Sequence, residues 1–66
     1  MIGNNVKQIL EEKNISMYRL SKITGISSSY ISEMISGKYN NPSADILQKL
    51  STALGVSVTK LLKKAS

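Results

Sequence analysis

Few side chains in this sequence can do covalent or acid–base chemistry. The 66 residues include no Cys and no His, and the carboxylates are Glu11, Glu12, Glu33 and Asp45. That leaves no thiolate nucleophile, no imidazole base and no soft metal-ligand set. Disulfides and zinc knuckles are excluded with them. Glu11 and Glu12 are adjacent, but neighbours on a helix point about 100° apart. They more simply complement Lys7 and Lys13, or solvate a helix, than share a proton. No cofactor, no metal site and no enzymatic activity is expected. What remains is hydrogen bonding and charge. Serines crowd one stretch (Ser27, Ser28, Ser29, Ser32 and Ser36), with Glu33 among them and Lys38 just beyond. Nine Lys and Arg against four acids give a net charge of +5. A small basic chain favours a polyanionic partner.

These side chains need elements to position them. The hydrophobic fraction of 41% is that of a folded protein. No apolar run approaches the ~18 residues of a membrane span, and Met1-Ile2-Gly3-Asn4-Asn5 is neither an apolar signal nor a basic presequence. The expectation is a soluble intracellular chain, one domain over 1–66, with a small core and no evident small-molecule ligand. Helix starts are marked by a serine followed four residues later by an apolar residue: Ser16 with Leu20, Ser27 with Ile31, Ser43 with Leu47, Ser57 with Leu61. In three cases the preceding residue (Ile15, Ile26 or Val56) is also apolar, as a hydrophobic staple requires. Asn41 with Pro42 at the first helical position is an equally good start for the fourth helix. Gly25, Gly37 and Gly55 mark stops, and Asn14 suits the same left-handed position after a first helix. Ile15, Ile26 and Val56 follow those stops as Schellman contacts would.

Apolar periodicity fills the segments. Ile2, Val6, Ile9 and Leu10 give a helix at 4–13. Leu20, Ile23 and Thr24 give one at 17–24. Ile31, Met34 and Ile35 give one at 28–36. Ile46, Leu47, Leu50, Ala53 and Leu54 give one at 44–54, and Val58, Leu61 and Leu62 one at 58–64. The predicted fold class is an all-α, five-helix bundle. Only Gly25-Ile26-Ser27 separates the second and third helices. A glycine-containing turn of ~3–4 residues between short helices is the helix-turn-helix pattern, although any small α domain has such turns.

At this point the sequence resembles a family. Ile15-Ser16-x-x-x-Leu20-Ser21-x-x-x-Gly25-Ile26-Ser27-x-x-x-Ile31-Ser32-x-x-x-x-Gly37-Lys38, then Asn41-Pro42-Ser43, Leu47-x-x-Leu50 and Ala53-Leu54-Gly55-Val56-Ser57-Val58-x-x-Leu61-Leu62, looks like the Cro/repressor-type (Xre) lambda-repressor-like helix-turn-helix domain. The resemblance implies helix 3 in the major groove of double-stranded DNA with helix 2 across it. It implies a transcriptional regulator, phage-related or of a mobile element, that binds a palindromic operator as a homodimer and represses. It also implies nucleoid association in the cytoplasm. A protein-interaction module or antitoxin-like component on the same scaffold is the alternative. The family's base-reading positions fall on Ser28, Ser29 and Glu33, with Ser32 adjacent. Its dimer interface falls on Val58, Leu61 and Leu62. The glutamines common in the family are replaced here by Ser28, Ser29 and Met17, which removes a phosphate contact at 17.

The helical wheel agrees. Ile31, Met34 and Ile35 share one side of the third helix, and Ser28, Ser29, Ser32, Glu33 and Ser36 the other. Serine donates or accepts and discriminates poorly alone, whereas Glu33 can accept from a cytosine amino group or else point to solvent. Phosphate contacts are expected from Ser16 and Ser27 at helix N-termini. Others are expected from Arg19 and Lys22 on the second helix, and from Ser36, Lys38, Asn40 and Asn41 past the third. Tyr30 either packs at the core edge or offers its hydroxyl to a phosphate. Tyr39 either reaches the backbone or covers the core. Asp45 reads as a helix-dipole residue. Lys60, Lys63 and Lys64 suit a helix C-terminus better than a membrane surface.

Overall fold

A computed structural model describes residues 2–39 and 41–63. Its helices are α1 (Ile2–Lys13), α2 (Met17–Thr24), α3 (Ser28–Ile35), α4 (Ala44–Leu54) and α5 (Val58–Leu62). The serine starts form as local chemistry dictates. Ser16, Ser27, Ser43 and Ser57 each sit in extended backbone and accept a hydrogen bond from the N–H three residues on. Ser43, rather than Asn41, caps α4. Three boundaries differ from the predicted ones, at α1, α3 and α5: α1 begins at Ile2, because Ile2 and Gly3 are buried, and α3 ends at Ile35, with Ser36 in the turn. The fifth helix ends at Leu62 with Lys63 extended. Lys64 lies outside the described residues.

The stops also follow local rules. Asn14 takes φ 56°, and the Ile15 N–H reaches the Leu10 carbonyl at 2.9 Å, closing a Schellman turn. The Val56 and Lys38 N–H groups close equivalent turns on Ser51 and Glu33. Ile26 departs from the expectation: its N–H goes to Thr24 Oγ1 at 3.1 Å.

Packing joins α1 to α3 and α5, α2 to α3 and α4, and α4 to α5. Val6, Leu20, Ile31, Met34, Leu50 and Leu61 are wholly buried between them. Ile23 corrects the predicted stripe of α2: it is 52% exposed. The helix is eight residues long and turns its inner face through Leu20 alone. Two contacts fix α1. A Cβ on Gly3 would collide with the Met34 carbonyl oxygen, so only glycine lets α1 approach the end of α3 so closely. Asn5 Nδ2 donates to the Leu61 carbonyl at 2.7 Å and to that of Lys63, satisfying acceptors that the end of α5 leaves open. No helix among the described residues is long and apolar enough to cross a membrane.

Candidate nucleic-acid interface

The joint between α2 and α3 is held by a set of backbone and hydroxyl hydrogen bonds. Gly25 adopts φ 76° and its N–H returns to the Ser21 carbonyl. Thr24 Oγ1 donates to Leu20 and accepts from Ile26. Ser21 Oγ donates to the Ile26 carbonyl at 2.6 Å. Ile26 itself is buried, and Ser27 then caps α3 through the Tyr30 N–H at 3.1 Å. The angle between the helices is thus set by a buried isoleucine and two hydroxyls. Sequence reasoning missed Ser21 and Thr24, although a serine four residues before a turn glycine was there to be read.

Held this way, α3 buries Ile31 and Met34 and turns Ser28, Ser29 and Ser32 outward. Their hydroxyls make no hydrogen bond to the chain among the described residues, so donors and lone pairs are free. Together with Met17 and Glu33 they line one open depression of about 460 Å³ between the start of α2 and the face of α3. The four expected base-reading side chains therefore converge. Met17 gives their surface an apolar margin able to meet a thymine methyl group.

The expected phosphate contacts separate into groups. Ser16 and Ser27 are exposed and use lone pairs to accept from the Arg19 and Tyr30 N–H groups. Their O–H groups have no acceptor among the described residues and can donate to an anion. Ser36 is different. Its Oγ donates to the Glu33 carbonyl at 2.7 Å, so its one hydrogen is committed within the free chain. Arg19 and Lys22 are exposed on α2, with Lys22 Nζ 5.3 Å from the centre of the Tyr18 ring. Asn41 is exposed. Asn40 lies outside the described residues.

Lys38, also expected on phosphate, is occupied in the free chain. Its Nζ lies 2.5 Å from Glu33 Oε2. The Schellman hydrogen bond from Lys38 N–H to the Glu33 carbonyl (2.9 Å) folds the chain back and brings the two side chains together. The Glu33 carboxylate, accepting a hydrogen bond from the ammonium and attracting its charge, holds Lys38 above the usual lysine value of 10.5. Tyr39 sits beside it, its ring 5.8 Å from Lys38 Nζ and stacked on Tyr30 with centroids 4.6 Å apart. Tyr30 is thus packed at the core edge. Asp45 lies in the first turn of α4, where the helix dipole favours a carboxylate, and pairs with Lys49 at 3.2 Å. Leu61, one of the three residues expected at a dimer contact, is buried in this chain's own core. Val58 is half-buried and Leu62 exposed.

A helix-turn-helix family model matches residues 6–61. The chain is 39% identical over 64 residues to the HTH-type transcriptional regulator SinR of Bacillus licheniformis, and 40% identical over 62 residues to SinR of Bacillus subtilis. Those alignments take in 97% and 94% of this chain, but it spans only 58% and 56% of the two relatives' lengths. Among solved structures, SinR in complex with DNA superposes with a TM-score of 0.90 at 40% identity, covering 96% of this chain and 100% of that one. The N-terminal DNA-binding domain of SinR from Bacillus subtilis gives 0.89 at 39%, covering 97% and 93%. A chain of the SinR protein/SinI protein complex gives 0.90 at 39%, covering 97% of this chain and 62% of that one.

Proposed function

This chain belongs to the helix-turn-helix family, and on that premise we propose that it is a sequence-specific DNA-binding domain of a transcriptional regulator. α3 enters the major groove, α2 lies across it, and the partner is double-stranded DNA. One observation carries this reading: Ser28, Ser29, Ser32 and Glu33 converge on one open face whose three serine hydroxyls have no partner among the described residues. The relative solved with DNA shares this fold over its full chain. Ser16 and Ser27, exposed at helix N-termini, and Arg19 and Lys22 on α2 bind phosphates. Two copies act on a palindromic operator, with Val58 and Leu62 at the contact, and the regulator represses.

The test is selection of a random duplex pool at near-physiological salt. A palindromic motif with half-sites about one turn (~34 Å) apart is the expected result. Salt-sensitive retention without a motif would reduce the function to non-specific binding. A second reading, a protein-interaction module on the same scaffold, is favoured by the SinR protein/SinI protein complex. No retention of any duplex would put it first.

A further inference from the structure

The Glu33–Lys38 pair joins a residue on the base-facing surface to a cation beside it, and the two have conflicting uses. An unpaired carboxylate on a DNA-facing helix repels phosphates, while a lysine held by a carboxylate neutralises none. Resting on the DNA-binding reading above, we infer that Lys38 is an exchangeable counter-ion that couples base identity to phosphate contact. Opposite a base other than cytosine, the pair stays closed, since adenine's N6 amino group lies beside its own N7 acceptor, which a carboxylate without a donor cannot answer; Glu33 remains neutralised and Lys38 adds no phosphate contact. Opposite cytosine, the N4 amino group takes over the carboxylate, and Lys38 swings to the backbone. The discrimination at that base pair then includes an electrostatic contact made by another residue.

The geometry permits the exchange. The Lys38 and Glu33 side chains are 62% and 36% exposed, and an exposed ion pair opens at little cost. The Schellman turn fixes the Lys38 backbone next to Glu33 whether or not the side chains touch. The stacked Tyr39 and Tyr30 rings keep the start of the loop in place beside them. Lys38 therefore acts through Glu33 as a positioning residue in the free chain, and touches DNA only when Glu33 has released it.

The experiment measures binding by fluorescence anisotropy across roughly 50–200 mM salt, using the 66-residue chain. The variants are Lys38→Ala and Glu33→Gln. The probes are an alternating A·T duplex, which has no cytosine, and an alternating G·C duplex, which offers one in every register. Circular dichroism confirms that both variants keep the helical fold. On A·T, Lys38→Ala is expected to leave the slope of log K against log[salt] unchanged. Glu33→Gln, which frees the lysine, should steepen it by about one unit and tighten binding several-fold. On G·C, Lys38→Ala should flatten the slope by about one unit. Equal flattening on both duplexes would make Lys38 an ordinary phosphate contact and overturn the coupling. An unchanged A·T slope in Glu33→Gln would also overturn it. Failure of the unaltered chain to bind either duplex would remove the DNA-binding reading itself, and the inference with it.

Discussion

Ser28, Ser29 and Ser32 are small, neutral and without a partner among the described residues, so each adds one hydrogen bond rather than the bidentate contact that discriminates by ~1–3 kcal/mol. Ser29→Ala should therefore weaken binding to a selected duplex by less than tenfold, while changing which base is preferred at one position. A competition experiment over single-base operator variants would read this. Loss of all binding would give the serine a structural role instead. Lys38 carries a pH statement. Its pKa is raised in the folded chain by Glu33, so its stabilising contribution is complete below the ordinary value of 10.5 and is lost as pH rises through the folded value. Melting curves of the unaltered chain and Lys38→Met should keep a constant offset from pH 6 to 9 and converge only in strong alkali. An offset that changed in the neutral range would mean another group governs the pair. Among these residues, the serine face was legible because the wheel sorts residues by angle. The ion pair was not, since the wheel ends with α3, and Lys38 meets Glu33 only once the turn at Gly37 has brought it back over the helix.

At the scale of elements, helix starts were the most legible part, because a cap is closed within four residues. The Ser27 hydroxyl meets the Tyr30 N–H whatever the rest of the chain does. Ser27→Ala should lower stability by ~1 kcal/mol, the usual value for a lost cap, and denaturant titration would measure it. What could not be read locally is what α1 touches. Asn5 answers a carbonyl 56 residues away, and Gly3 is required by the carbonyl of Met34. Ile23 was misassigned because periodicity reports an apolar side chain without reporting whether another helix comes to cover it. The two kinds of glycine separate experimentally. Gly25→Ala meets no neighbour and suffers only the left-handed backbone, about 1–2 kcal/mol. Gly3→Ala must push α1 off α3, so its melting midpoint should fall further. The reverse order would show that α1 shifts freely.

Across the whole molecule the core is small and shared by all five helices, so the DNA-facing surface stands or falls with packing on its far side. Ile31→Ala, at a wholly buried position, should remove ~2–5 kcal/mol, a large part of the stability expected for so small a chain. A normal melt would mean the two faces of α3 had been interchanged. One detail occurs twice. Ser21 donates to the Ile26 carbonyl ahead of the Ser27 cap, and Ser51 donates to the Val56 carbonyl ahead of the Ser57 cap. Each joint reads Ser-x-x-x-Gly-(Ile/Val)-Ser. One leads into a helix with a free polar face and the other into a helix closed by Leu61 and Asn5. The pattern is a hinge fitting, interchangeable between doors, and says nothing about which door opens onto DNA. Ser21→Ala and Ser51→Ala should therefore match in stability loss and part company in DNA affinity.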